Sequence, residues 1–181
     1  MNERNTLVRS LHDVGLAVWA GGALMGAVGL NGATAKAEDP TERLRLSSLG
    51  WARWAPVNAA AIAAHGIGGI GLILANRQRV AGQSGVGANT AVKAVLTVAA
   101  AGVTAYSGVL GRKVDAESRQ GGEGATEPAA GASSELATAQ QHLKITQWAI
   151  PALTGVLVVL AAQQGEQQRP GQQLRDRLLN R

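Results

Sequence analysis

Hydrophobic and polar residues are arranged in long blocks along this chain. Four apolar runs have about the length of roughly 20 residues that a helix needs to cross a hydrocarbon core of about 30 Å. None shows the single apolar stripe of a helix packed on a water-soluble core. The sequence therefore predicts an all-α fold, an integral membrane four-helix bundle. Its transmembrane helices are predicted over residues 14–33, 55–75, 91–110 and 145–162.

The polar segments between these runs define the remaining organisation. We predict an N-terminal segment over 1–13, a polar loop over 34–54, a short loop over 76–90 and a polar C-terminal tail over 163–181. Residues 111–144 are predicted as a low-complexity loop leading into a helix. This loop has too few apolar side chains to fold alone. The tail has the leucine and arginine spacing of a short basic amphipathic helix on an anionic surface, or it is a solvated terminus.

The first apolar run also resembles a secretory signal peptide. The basic residues Arg4 and Arg9 precede it, and small residues typical of a cleavage site follow at 33–37. Cleavage there would leave three spans. We expect the run to stay in the protein as an uncleaved first span.

Composition supports a membrane protein and removes several chemistries. Of 181 residues, 46% are hydrophobic and 16% are charged, whereas soluble domains carry about 25% charge. The absence of cysteine excludes disulfides, thiolate metal sites and cysteine nucleophiles. The net charge of +5 is explained by anchoring at lipid headgroups. Nucleic-acid binding is not expected, because no segment combines a basic face with aromatic residues.

Lysines and arginines in the loops do not decide the orientation of the bundle. Their numbers are equal on the side that holds both termini, here called the terminus side, and on the opposite loop side. Acidic residues are more numerous on the loop side, which makes it the more neutral one. We therefore expect a multi-pass protein of the bacterial plasma membrane with both termini in the cytoplasm.

Glycines at helical spacing predict where the helices approach closely. Helices in lipid associate by close packing and interhelical hydrogen bonds, which favours small residues at the contacts. Gly22 and Gly26 have this spacing in the first run, and Gly66 and Gly69 belong to a dense group in the second. We expect these four glycines to be helix-packing positions. A cofactor-binding face is the alternative interpretation.

Three histidines raise the question of a haem or metal site. His12 precedes the first run, His65 lies near the middle of the second, and His142 precedes the fourth. With a helical rise of 1.5 Å per residue, each pair is expected to be separated in depth by roughly 15 Å or more. A haem held by two histidines of this chain is therefore disfavoured. Copper is disfavoured too, since Met1 and Met25 are the only sulfur-containing residues, and we expect no metal site.

The acidic residues do not support catalysis by this chain alone. All twelve lie outside the apolar runs or at their edges. No intramembrane carboxylate is therefore expected to orient His65 as a base or to mark an ion path. We expect the protein not to be an enzyme and assign no catalytic residue.

A set of polar residues shares a depth on the loop side, with His65 the deepest. An ionisable group in mid-membrane is by default a functional hypothesis, and histidine suits both quinone binding and proton relay. Alternatively, a neutral His65 bonds a hydroxyl or carbonyl of a neighbouring helix. The sequence does not decide whether these side chains converge. The candidate ligand or proton-relay cluster is His65, Asn58, Tyr106, Ser107 and Gln147, with Asn31 and Thr104 at similar depth.

The run LHDVGLAVWAGG at residues 11–22 resembles a known pattern. It is similar to the H-x-x-G-x-x-x-W-x-G-G start of small bacterial membrane proteins of the copper-resistance-D-like group. The resemblance covers about a dozen residues and implies a four-helix plasma-membrane fold and a metal-related role. His12 and Trp19 are the family-like positions, with no catalysis assigned to them.

These observations favour a non-catalytic accessory or anchoring subunit of a larger bacterial membrane protein complex, such as a respiratory one. The expected partners are the lipid bilayer and other membrane protein subunits. The alternatives are a quinone- or haem-associated redox protein using the His65 cluster, and a small-solute or metal-handling membrane protein. We expect no cofactor in the chain alone, and a quinone or haem only together with a partner chain.

Overall fold

A computed structural model describes residues 5–77 and 84–167 of the chain. Four of its helices are long and apolar enough to cross a membrane. The prediction of an all-α four-helix membrane bundle is therefore confirmed. Residues 168–181, with the predicted amphipathic helix, and 78–83 of the predicted short loop lie outside the described residues. The membrane-length segments are Thr6–Thr34, Pro40–Ala75, Gly87–Ala116 and Ser134–Gln163.

The first membrane-crossing segment is built from three helical pieces. Helix α1 covers Thr6–Met25, a π-helical stretch follows at Gly26–Leu30, and one turn, α2, covers Asn31–Thr34. The predicted first span, 14–33, thus begins inside α1. His12, which was expected to precede the span, belongs to the helix.

The other helices are longer than the apolar runs that predicted them. Helical structure continues into the polar flanks at both ends of the third and fourth runs and at the start of the second, which ends at Ala75 as predicted. Helix α3 covers Pro40–Ala75, α4 covers Ser84–Ala116, and α5 covers Ser134–Gln167. A short 3-10 turn lies at Ser118–Gln120.

The predicted polar loop over 34–54 is wrong in its second part, because α3 begins at Pro40. The carboxylate of Asp39 accepts a hydrogen bond of 2.8 Å from the backbone N–H of Thr41 and caps the helix. This hydrogen bond lowers the pKa of Asp39 below its usual value. Sequence reasoning placed the helix start near Pro56, but this proline lies inside α3, where membrane helices tolerate it.

Two further predicted loops are shorter than expected. Helix α4 begins at Ser84, within the predicted loop over 76–90, and continues to Ala116. Helix α5 begins at Ser134, so most of the second half of the 111–144 segment is helical. The predicted C-terminal tail also starts late, because α5 extends beyond the apolar run that marks its span. Hydropathy thus indicates which residues lie in lipid, but it does not locate the ends of α4 and α5.

The glycine-rich segment between α4 and α5 folds against the helix ends on the loop side. We call residues 117–133 the cap. Gln140 of α5 is fully buried and donates through Nε2 to the carbonyl oxygens of Gly124 at 3.0 Å and of Ala125 and Glu127 at 3.3 Å. The helix ends supply the apolar surface that this segment lacks. The small core beneath it consists of Leu44, Leu110, Val114, Leu136 and Ala139.

The bundle consists of two closely packed helix pairs, α1 with α3 and α4 with α5, and α1 also packs on α5 and α3 on α4. Its central apolar cluster surrounds the fully buried indole ring of Trp19. Large apolar side chains point outward, including Val95 and Val98, which are 68% and 72% exposed. Such a surface suits lipid and not water. The chain is therefore a multi-pass membrane protein.

Candidate functional site

Helices α1 and α3 approach each other most closely at two glycines. A Cβ atom added to Gly15 would lie 2.6 Å from the backbone nitrogen of His65. A Cβ atom added to Gly68 would collide with the backbone nitrogen of His12. Neither neighbour is a flexible side chain that can move away. Gly15 and Gly68 are therefore the positions at which this helix pair requires glycine.

The two glycines follow two histidines at the same spacing, since α1 carries His12-x-x-Gly15 and α3 carries His65-x-x-Gly68. Because the helices are antiparallel, the backbone of each histidine packs on the glycine of the other helix. The imidazole rings meet with their centroids 4.3 Å apart and their planes tilted by 38°. The expected separation of at least 15 Å in depth is wrong. Helix α1 begins at Thr6 and brings His12 to the level of His65.

Both ring nitrogens of His65 are engaged by protein atoms. Nδ1 lies 3.0 Å from the main-chain carbonyl oxygen of His12, and Nε2 lies 3.3 Å from Oγ1 of Thr97 on α4. A carbonyl oxygen only accepts, so Nδ1 carries the proton and a neutral His65 accepts from the threonine through Nε2. The residue is 4% exposed. His65 is thus held in one tautomer and offers no nitrogen to a ligand.

His12 has one engaged and one open ring nitrogen. Its Nδ1 donates to Oδ1 of Asp13 at 2.8 Å, because a carboxylate only accepts. Its Nε2 has no hydrogen-bond partner among the described residues. The imidazole lies over Gly69, whose added Cβ would make an ordinary contact of 3.4 Å with the ring. A carboxylate that fixes one nitrogen and leaves the other open is the arrangement of a histidine acid–base catalyst or proton carrier.

Sequence reasoning missed the role of Asp13. It sought a carboxylate that orients His65, and it grouped all twelve acidic residues as lying outside the apolar runs or at their edges without singling out Asp13. Two signals were available: the histidine is directly followed by an acid, and H-x-x-G occurs in both helices of the pair. The Asp13 side chain is 56% exposed and that of His12 is 13% exposed, so the carboxylate connects a mostly buried imidazole to the molecular surface.

Charged groups from two helices converge on the imidazole pair. Asp13 of α1 and Lys93 of α4 both act electrostatically on His65, and Arg9 acts on Lys93. The indole of Trp19 meets His65 edge-on with ring centroids 6.2 Å apart. The terminus-side half of the bundle therefore holds the buried His65 and the largely buried His12 near charged groups, of which Asp13 and Arg9 are exposed.

Gln147 belongs to a separate hydrogen-bond network near the loop side. Its Oε1 accepts from Nδ2 of Asn31 at 3.0 Å, and its Nε2 donates to Oγ1 of Thr126 at 3.3 Å. Oδ1 of Asn31 accepts from Oγ of Ser47 at 3.0 Å and from Nε1 of Trp51 at 2.9 Å. This network links α2, α3, α5 and the cap.

The other candidate residues do not reach His65 either. The hydroxyl of Tyr106 lies 2.7 Å from Nδ1 of His142 on the outer face of α4 and α5, where the tyrosine is 44% exposed. Asn58 lies two helical turns from His65 along α3, about 10 Å away. Asn58 Oδ1 and Ser107 Oγ are buried without a partner among the described residues. The predicted cluster is thus divided into separate groups.

The predicted packing glycines differ in their surroundings. Gly22 and Gly26 face α3, where they pack against the indole rings of Trp54 and Trp51 respectively. A Cβ atom added to Gly66 would meet nothing within 4 Å, so this glycine does not pack against another helix. Rotation of the helix about its axis, which the glycine spacing does not reveal, decides which glycines face a neighbour.

The geometry of the imidazole pair does not fit a haem between the two rings. Metal–nitrogen bonds of about 2 Å would place the centroids of opposed axial histidines about 6 Å apart, farther than the observed 4.3 Å. Within residues 5–77 and 84–167, no group of three His, Cys, Asp or Glu side chains comes together around a possible metal position.

No protein-family model matches the chain, and neither a curated protein nor a solved structure matches it. The resemblance of residues 11–22 to copper-resistance-D-like proteins therefore stays a prediction. Function is inferred below from the geometry of the site.

Proposed function

We propose that this protein is a proton-carrying subunit of a bacterial plasma-membrane complex, in which His12 exchanges protons with a membrane quinone. The observation that carries the proposal is the arrangement of Asp13, His12 and His65. One carboxylate fixes Nδ1 of His12, the tilted ring of His65 packs against it, and Nε2 has no hydrogen-bond partner within residues 5–77 and 84–167. Quinone reduction consumes protons together with electrons, and quinol oxidation releases both. A histidine near the edge of the bilayer is suited to supply or accept them.

Each neighbour has a defined part in this chemistry. The Nε2–H of His12 donates a hydrogen bond to a quinone carbonyl oxygen and passes its proton on as that oxygen gains negative charge. Asp13 orients the ring of His12 through Nδ1. His65, whose own ring is bonded to Thr97, packs against the ring of His12.

His12 is placed to exchange protons with water on the terminus side. The first membrane-crossing segment has 29 residues, about 43 Å at 1.5 Å per residue, which exceeds a hydrocarbon core of about 30 Å. His12, six residues after the start of α1, therefore lies near the edge of the core. The half-exposed Asp13 carboxylate reaches toward the aqueous phase.

The electrons come from a redox centre of another subunit, because imidazole and carboxylate groups carry protons and not electrons. The chain is accordingly an accessory subunit without a redox centre of its own, and its partners are lipid and other membrane proteins. We place both termini in the cytoplasm and assign no nucleic-acid partner. Extraction from its native membrane in lipid discs should recover the protein with a redox subunit. Recovery of a stable monomer alone would contradict the accessory role.

Quinone binding tests the role of His12 directly. We would titrate the full chain in lipid discs with decylubiquinone and follow quenching of tryptophan fluorescence, since Trp19 lies close to His65. Loss of one hydrogen bond in His12→Leu should weaken binding about tenfold. The matched control is His142→Leu, which removes a histidine whose hydrogen-bond partner in the described part of the chain is the exposed Tyr106. This variant should bind like the wild type. Equal affinities of the two variants, or no binding by the wild type, would refute the proposal.

A further inference from the structure

Four buried polar atoms on α3 and α4 have no hydrogen-bond partner among the described residues, and one of them is Oδ1 of Asn89. The three that lie farther toward the loop side are Nε1 of Trp54, Oδ1 of Asn58 and Oγ of Ser107. Burying a polar group is unfavourable unless a partner satisfies it, and such orphaned groups in native proteins call for a specific explanation. This cost is higher inside a membrane, because lipid offers no hydrogen bond.

The register of α3 against α4 brings these three atoms to one level. Trp54 and Asn58 are four residues apart on the face of α3 that also carries His65. His65 bonds Thr97 of α4, and this contact fixes the antiparallel register of the two helices. Counting from it in both directions places Ser107 between the levels of Trp54 and Asn58. The three atoms therefore fall within about one helical turn, or 5 Å, in depth.

The face of α4 agrees with this placement. Thr97, Ala100, Thr104 and Ser107 recur at helical spacing, and Ala100 of this face is fully buried in the central cluster. Thr104 accepts from Nε1 of Trp19 at 3.2 Å and donates to the carbonyl oxygen of Ala100 at 2.8 Å. Its hydroxyl proton is thus already used, and Ser107 is the hydroxyl left for a further partner.

We propose that Trp54, Asn58 and Ser107 form a buried binding site for water. The indole N–H only donates, the amide oxygen only accepts, and the hydroxyl does both. Water, with two protons and two lone pairs, complements all three, and buried waters commonly make about three hydrogen bonds to otherwise unsatisfied groups. An anion or a metal ion does not fit this neutral set. The site lies about 10 Å from His65 along α3 on the loop side.

This water site extends the polar interior of the bundle beyond the imidazole pair. Polar groups then follow one another from Asp13 at the terminus side, through His65 and Thr97, to Ser107 nearer the loop side. The idea that a water in this site passes on protons rests on the proposed function. The binding of water in this site does not.

Water-edited solid-state NMR of the full chain in bilayers tests the site. With 15N-labelled tryptophan, the four indole N–H signals are compared for the rate at which they receive magnetisation from water. Trp54 should receive it several-fold faster than Trp19, whose indole is buried and bonded to Thr104. Trp19→Phe and Trp54→Phe assign the two signals. Equal slow rates for both indoles in the wild type would overturn the proposal.

Two variants refine this test. Ser107→Ala and Asn58→Leu each remove one partner of the water and should slow the transfer to Trp54 several-fold. Trp51, whose indole bonds Asn31, should be unaffected and serves as the internal control. If either variant leaves the rate at Trp54 unchanged, its residue does not hold water. The measurement needs no quinone, so its failure is distinguishable from failure of quinone binding at His12.

Discussion

His65 donates a hydrogen bond from Nδ1 to the main-chain carbonyl oxygen of His12, and the two rings lie 4.3 Å apart. The side chain of His65 is therefore held by the backbone of His12. This contact depends on the close approach of α1 and α3 at Gly15 and Gly68. It assigns a positioning role to His65, whereas Nε2 of His12, which has no partner among the described residues, is the atom to which we assign the proposed proton exchange.

The glycine contacts predict opposite outcomes for two neighbouring substitutions. Gly68→Ala forces a methyl group against the backbone of His12 and should destabilise the protein by about 1–3 kcal/mol. Gly66→Ala enters open space and should be neutral or slightly stabilising, because alanine favours a helix by up to about 1 kcal/mol over glycine. Thermal unfolding of both variants in the same detergent checks this. Similar midpoints would mean that α1 does not lie against Gly68.

Asn31 connects three parts of the molecule, and its removal should be costly. Asn31→Leu breaks the bonds to Ser47, Trp51 and Gln147. At about 0.6 kcal/mol for each interhelical bond, the loss should be about 2 kcal/mol. Trp51→Phe removes one of these bonds and should cost less. Reversible unfolding in mixed micelles measures both, and a variant as stable as the wild type would show that the network is absent.

The first turn of α3 should become less stable in acid. The pKa of Asp39 is lowered by the hydrogen bond from the N–H of Thr41, so the cap contributes fully above the usual pKa of about 4 and is lost as the pH falls below it. Asp39→Asn keeps a capping side chain but does not titrate. Hydrogen exchange at residues 40–45 should rise in acid relative to this variant. Identical exchange of both proteins at each pH would contradict the capping role.

The cap should loosen when Gln140 is replaced. Gln140→Leu removes the donor to three carbonyl oxygens of the cap and should cost about 1–3 kcal/mol. Limited proteolysis should then cut the segment between α4 and α5, while the membrane-embedded helices stay protected. Unchanged resistance of the cap to protease would show that its order has another source.

The sequence predicts the number and nature of the helices because hydropathy reports directly on lipid as the solvent. It predicts the ends of the first and second spans, at residues 33 and 75, to within one residue. It does not predict the start of α3, because the cap formed by Asp39 lies well outside the apolar run. The apolar cluster under the cap depends on residues far apart in sequence, such as Leu44 and Leu136. Local composition therefore gave no sign of it.

The candidate site was predicted only in part. His65 was identified from its depth, but its partner His12 was placed outside the membrane because depth was counted from the end of an apolar run. Gly66 and Gly68 are equivalent by composition, and only the rotation of α3 tells which one faces α1. In the same way, the rotation of α4 about its axis separates Tyr106, on the outer face, from Ser107, whose Oγ is buried.

Solid-state NMR of the histidine side chains in bilayers tests the central claim most directly. We would label the full chain with 15N and 13C histidine and record through-space correlations between imidazole rings, with His142→Gln to simplify assignment. The account predicts a cross peak between His12 and His65 and a proton on Nδ1 of His65. The absence of that cross peak, or a proton on Nε2 of His65 and none on Nδ1, would contradict it.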